Sequence, residues 1–215
     1  MTLLEQLTHS PRLPQYVREL QDILDAERQK RQRFFEDLHE DQKAEFINGE
    51  MIVHSPVGFE HGEVSMNLGA LLRAYVQKHS LGVVGHEKFL ISLTRNDYEP
   101  DICYFAPPKA ARIKPNQNKF PAPDLIVEVI SKSTERIDRT IKFDDYAAHG
   151  VGEYWIVDPR KRTIEQYLLS SGKYELAVKV KDGALRSRAI KSLEIPVRAA
   201  FDSRENYKAL AAITR

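Results

Sequence analysis

Cysteine is nearly absent. Cys103 is the single one in 215 residues, so neither an intrachain disulfide nor a cysteine-based zinc site can form. A reducing compartment follows as the expectation, with the cytoplasm as the simplest location. No stretch approaches the roughly 18 apolar residues of a membrane span. The longest apolar segments, such as Leu125 to Ile130, are strand-sized, and Glu128 interrupts that one. The N-terminus, MTLLEQLTHSPRLP, has no basic stretch followed by an apolar one and does not read as a signal peptide. Excess charge of one sign is also missing. The 32 Lys+Arg and 31 Asp+Glu leave a net charge of +1, which argues against a histone-like binder working through a bulk field and leaves room for a local basic patch. No internal repeat or low-complexity tract is present.

What is present fits a soluble globular chain of one domain with an arm, at 42% hydrophobic and 29% charged residues. Residues 15–43 predict a helical arm, with Val17, Leu20, Ile23 and Leu24 at helical spacing and a basic run at Arg28–Arg33. The arm is assigned to residues 1–43 and the main domain to 44–215. Residues 44–55 predict a hairpin turning at Asn48-Gly49, where both positions tolerate positive φ. A helix follows over 60–78, with His61 beginning its apolar face. Val83 to Leu93 alternates as a strand, placing Glu87 with Phe89, Ile91 and Leu93 on the buried side, or, given its Gly85-His86 and Lys88 flanks, at an exposed edge. Asp101–Phe105 is a further strand. The loop 107–119 holds four basic residues and no acidic one. Pro123 to Ser131, apolar on both faces, predicts a central strand. Thr134–His149 predicts one helix stopped by Gly150. Strands at 153–157, 163–169 and 174–180 and a short helix near 204–213 complete the pattern. This interleaving supports a mixed α/β (α+β) domain with one mixed sheet.

Chemistry concentrates on acids in strands. Asp101 opens one strand and Glu128 sits inside another, where a buried carboxylate needs a charge partner, a metal or a proton. Two such acids on neighbouring strands would offer oxygen ligands to Mg²⁺; the alternative is a strand-start turn residue and a buried ion pair. Glu87 is a third candidate. Asp138, Lys142 and Tyr146 form one helix stripe, so Lys142 either reaches the carboxylates or makes an ordinary pair with Asp138. Lys132 is its rival. His61 is either a core histidine or a site residue. Ser131 lacks a G-x-S-x-G context, and neither it nor Cys103 has a histidine nearby in sequence. No P-loop or G-x-G-x-x-G is present.

The order Glu45-x-x-x-Gly49-Glu50, His61, Pro100-Asp101, Pro123-Asp124-Leu125-Ile126-Val127-Glu128-Val129-Ile130-Ser131, Asp138-x-x-x-Lys142-x-x-x-Tyr146 and Gly150-Val151-x-Glu153-Tyr154-Trp155-x-Val157-Asp158-Pro159 resembles the Uma (Uma-two) family. These are restriction-endonuclease-like proteins of the PD-(D/E)XK superfamily, and the likeness runs from about Glu45 to Phe201. It implies a restriction-endonuclease-like core, a central mixed sheet flanked by helices. It implies Asp101 and Glu128 as metal ligands, with Glu87 as a further acid. The superfamily's lysine two residues after the second acid is replaced here by Ile130, and the resemblance implies that Lys142 supplies the cation from the following helix. The function implied is a Mg²⁺- or Mn²⁺-dependent endonuclease acting on DNA, with no membrane partner; cutting two strands needs two active sites, which points to a homodimer. Loop 107–119, Lys132, Arg136 and Arg139 would meet phosphates. The alternative is a catalytically inactive module on the same fold that binds nucleic acid or protein.

Overall fold

A computed structural model of the chain describes residues 2–39 and 42–215. In chain order its elements are α1 (Leu3–Thr8), α2 (Leu13–Asp37), β1 (Ala44–Ile47), β2 (Glu50–Val53), α3 (Phe59–Lys78), β3 (Val83–His86), β4 (Leu90–Ser92), β5 (Asp97–Tyr98), β6 (Ile102–Phe105), α4 (Pro107–Ala110), β7 (Lys119–Phe120), β8 (Leu125–Val129), α5 (Glu135–Asp138), α6 (Ile141–Ala148), β9 (Glu153–Asp158), β10 (Thr163–Ser170), β11 (Lys173–Val180), β12 (Ala184–Arg186), β13 (Glu194–Pro196) and α7 (Ser203–Thr214). They fall into two compact units. One runs to His54 and adds Arg95–Asp97; the other comprises Ser55–Thr94 and Tyr98–Arg215.

In the first unit, helix α2 opens with Pro14 in its first turn, where the missing N–H is not needed. Only Phe34 of this helix is buried, and its ring lies 5.7 Å from that of Phe46 on β1. Arg31 grips Asp97 through two hydrogen bonds of 2.6 and 2.8 Å. The arm expected over residues 1–43 includes Met1, Glu40 and Asp41, which lie outside the described residues. The hairpin turns as its sequence requires, with Asn48 at φ 51° and Gly49 at φ 83°.

In the second unit, six strands form a mixed sheet in the order β11-β10-β9-β8-β6-β3. β8 runs antiparallel to β6 and parallel to β9, so it is flanked on both edges, and all five of its residues are buried. That is the physical reason its sequence is apolar on both faces. Alternation divides those residues. Leu125, Val127 and Val129 join Val64, Leu68 and Leu72 of α3 and Ala209 of α7 in one core. An aromatic cluster fills another part of this unit: Phe143 stands edge-on to Tyr167 and Tyr174, and Tyr146 edge-on to Tyr154.

Three expectations need correction. The one mixed sheet expected is accompanied in this unit by separate β4–β7 and β12–β13 pairings. The strand expected from Val83 to Leu93 breaks into β3 and β4, because Glu87 and Lys88 both take positive φ, 50° and 52°. Two successive left-handed residues cannot continue a pleat. The single helix expected over 134–149 breaks into α5 and α6 at Thr140, whose φ of −128° and ψ of −84° are not helical. Gly150, at φ 74°, ends α6 as expected.

Candidate active site

Glu128 is the fourth residue of β8. In the β6–β8 register Ile102 lies opposite Val127, so one further step sets Asp101 opposite Glu128. Both acids are 3% exposed. Each carboxylate is held by specific donors. Asp101 Oδ2 accepts the Val129 N–H at 2.8 Å and lies 3.3 Å from His61 Nε2 on α3. Glu128 Oε1 accepts from Lys142 Nζ and from the Tyr146 hydroxyl, each at 3.0 Å.

Lys142 is itself 3% exposed. Its ammonium lies 3.3 Å from Asp138 Oδ1 and 5.8 Å from the centre of the Tyr98 ring. The stripe Asp138, Lys142, Tyr146 therefore survives the break between α5 and α6. Both of its sequence readings describe part of the geometry, since Lys142 meets Asp138 and Glu128 together. Tyr154 donates to the Asp138 carbonyl at 3.0 Å, and burial, with Asp138 and Glu128 nearby, pushes its pKa well up and keeps it protonated.

The other sequence candidates are placed differently. Glu87 sits in the β3–β4 turn, and its N–H donates to the Asp101 carbonyl at 3.0 Å. Lys132 is exposed beyond the end of β8. With His61 it lines a pocket of about 370 Å³ beside Phe59, Pro159 and Arg160. Among the described residues no group of three or more His, Cys, Asp or Glu side chains converges on a common point. Asp101 and Glu128 alone still present hard oxygen donors from neighbouring strands. That donor set is of the oxygen type that a hard divalent ion takes.

Arg139 was expected among the phosphate contacts, but its guanidinium is engaged within the fold. It makes a two-pronged bond to Glu165 at 2.7 and 3.2 Å and a third to Glu135 at 3.2 Å. Glu165 accepts from Arg139, Lys179 and Tyr167. Those bonds outweigh the burial that would raise its pKa and hold it down at about 2. Cys103 is buried, which pushes its thiol above the ordinary range and leaves it a poor nucleophile. The Ser131 hydroxyl bonds only to those of Ser133 and Thr134 among its side-chain partners. Two features escaped the sequence reading. Phe59 and Arg160 line the pocket from distant parts of the chain, and no local pattern joins them. Glu153 is fully buried and accepts from Trp155, Gln166, Ser187, Arg188 and Ala189, so it anchors the 187–189 turn structurally.

A mixed sheet with flanking helices and paired acids on adjacent central strands defines a restriction-endonuclease-like fold. Residues 31–198 match the sequence profile of the Uma2 family, whose description reads "Putative restriction endonuclease". The chain belongs to that family. Among solved structures it is similar to "a putative nuclease belonging to DUF820 from Anabaena variabilis", at 17% identity and a TM-score of 0.67, over 82% of this chain and 96% of that one. That likeness concerns the fold. No curated protein matches the chain.

Proposed function

We propose that the chain is a divalent-metal-dependent endonuclease that hydrolyses phosphodiester bonds of DNA. The observation that carries this reading is the juxtaposition of buried Asp101 and Glu128 on neighbouring strands, with Lys142 Nζ 3.0 Å from Glu128. Asp101 and Glu128 would hold Mg²⁺ or Mn²⁺. Such an ion, when bound, polarises a phosphate oxygen and lowers the pKa of its water. The chain's own residues do the rest. The Val129 N–H and His61 orient the Asp101 carboxylate. Lys142 and Tyr146 orient that of Glu128, and the Lys142 ammonium stabilises negative charge developing on the phosphate. Lys132, on the pocket beside His61, contacts a neighbouring phosphate. The single buried cysteine suits a reducing compartment such as the cytoplasm.

Cutting two strands calls for two such sites, and a second copy of the chain is the simplest source. The stripe Val17, Leu20, Ile23 and Leu24 on α2, each 41–52% exposed, supplies a face for that copy. No described helix is long and apolar enough to cross a membrane.

The test incubates purified protein with plasmid and linear DNA in Mg²⁺ or Mn²⁺, beside Asp101→Ala and Lys142→Ala. Cleavage by the wild type alone is expected; equal cleavage by the variants overturns the site. A second reading is a catalytically inactive module. It is favoured by the double engagement of Lys142 with Glu128 and Asp138, as in a purely structural ion pair. Absence of both cleavage and a metal-induced rise in Tm would establish it.

A further inference from the structure

The pocket beside the acids has a composition that an ordinary cleft on the way to a scissile phosphate does not require. Its wall carries Phe59, 81% exposed, at the first position of α3. Ile130 and Pro159 supply further apolar surface. His61, three residues after Gly58, ties this wall to Asp101 at 3.3 Å. The lining also holds the acid Glu60, Ser131 and two cations. Lys132 forms no ion pair among the described residues. Arg160 is 41% exposed and pairs with Glu135 at 3.4 Å and Asp158 at 3.8 Å at the pocket's edge.

We propose that this pocket receives an unpaired nucleobase stacked on Phe59, with adjoining phosphates on Lys132 and Arg160, so that the substrate is single-stranded or locally unstacked DNA. The inference rests on the nuclease reading and specifies its substrate. Three observations support it. An exposed aromatic ring is a stacking platform that every base can use, because every base has a π-face. In an intact duplex both faces of each base are covered by its neighbours, so only an unstacked base can present one to Phe59. The volume of about 370 Å³ lies at the lower end of small-ligand sites, of the order of 300–1,000 Å³. That suits one nucleotide, and Lys132 and Arg160 in the same lining offer cations to its phosphates.

The experiment measures fluorescence anisotropy of a labelled oligothymidylate of about twenty nucleotides and of a duplex of equal length. That length exceeds single-strand sites of about 4–16 nucleotides. EDTA is present, so no turnover occurs. The wild type is expected to bind the single strand more tightly than the duplex. Phe59→Ala should weaken single-strand binding about 5- to 140-fold, the equivalent of one lost base stack, and Phe59→Trp should retain it. Lys132→Gln should reduce the salt dependence by about 0.7 in log–log slope, one phosphate on a single strand. Because Phe59 is exposed, thermal melting should show Phe59→Ala folded as the wild type is. Equal affinity of Phe59→Ala and wild type for the single strand overturns the proposal, as does tighter binding of the duplex. Both outcomes are independent of cleavage. A chain that cuts DNA yet ignores Phe59→Ala refutes this inference alone, and one that binds through Phe59 without ever cutting refutes the nuclease reading alone.

Discussion

Replacing Lys142 by Met removes the charge that meets Glu128 and keeps most of the side-chain volume. The two groups lie 3.0 Å apart at 3% exposure each. Breaking such a pair from one side costs about 3–5 kcal/mol, because a carboxylate is left buried without its cation. Asp138, 3.3 Å from the same ammonium and 1% exposed, loses its cation too; on the Glu128 side the escape is to protonate that carboxylate. From an ordinary Glu value of about 4.3, that costs about 1.4 kcal/mol per pH unit, or about 4 kcal/mol at pH 7 and about 1 kcal/mol at pH 5. The folded variant then binds a proton that the unfolded chain lacks, so its stability falls as pH rises. Lys142→Met should therefore lose about 3–4 kcal/mol at pH 7, or about 6–16 °C in Tm for a chain of this size. Most of that deficit should vanish at pH 5. The assay is urea unfolding of wild type and variant at both pH values. Adding Glu128→Gln should restore part of the loss at pH 7, since it removes one of the two carboxylates left without their cation. A deficit that is equal at both pH values, or below about 1 kcal/mol at pH 7, refutes this account of the buried pair.

Further outcomes follow from other residues. Glu165, held at about 2 by Arg139, Lys179 and Tyr167, stabilises the fold fully above its unfolded value near 4.5 and loses that contribution as pH falls toward 2. Glu165→Gln should accordingly flatten acid unfolding between those values, by at most about 3 kcal/mol; calorimetry over that range checks it. Asp202 caps α7 by accepting from the N–H groups of Arg204 and Glu205, and Asp202→Ala should cost about 1 kcal/mol in urea melts. A Cβ on Gly49 would lie 2.8 Å from Glu27 Cγ at φ 83°, so Gly49→Ala should destabilise by about 1 kcal/mol or more. Mn²⁺ should raise the Tm of the wild type and leave Asp101→Asn unmoved, as measured by thermal shift.

Much of the site could be read before any geometry was known. Glu128 stands out because an acid interrupts an otherwise apolar strand, and Asp101 because it opens the next strand candidate. Lys142 and Tyr146 are identified by their spacing of four along a helix, and that spacing still brings them to one carboxylate oxygen. Glu87 was placed by strand parity, which fails because parity presumes continuous pleating and two positive-φ residues end it. Arg139 could not be excluded from the phosphate contacts by its sequence, because its partner Glu165 is 26 residues away on β10. The break at Thr140 has no proline or glycine to announce it.

Composition and periodicity alone determined that this chain has no intrachain disulfide, a mixed sheet, a helical N-terminal segment and a central strand carrying a buried acid. Those properties depend on local spacing and on which side chains water rejects, and both are written along the chain. Tertiary structure alone decided that Lys142 serves Glu128 and Asp138 together, that His61 meets Asp101, and that Phe59, Lys132 and Arg160 share one pocket. Each of these joins elements through strand register and helix packing, and such long-range pairings leave no period in the sequence.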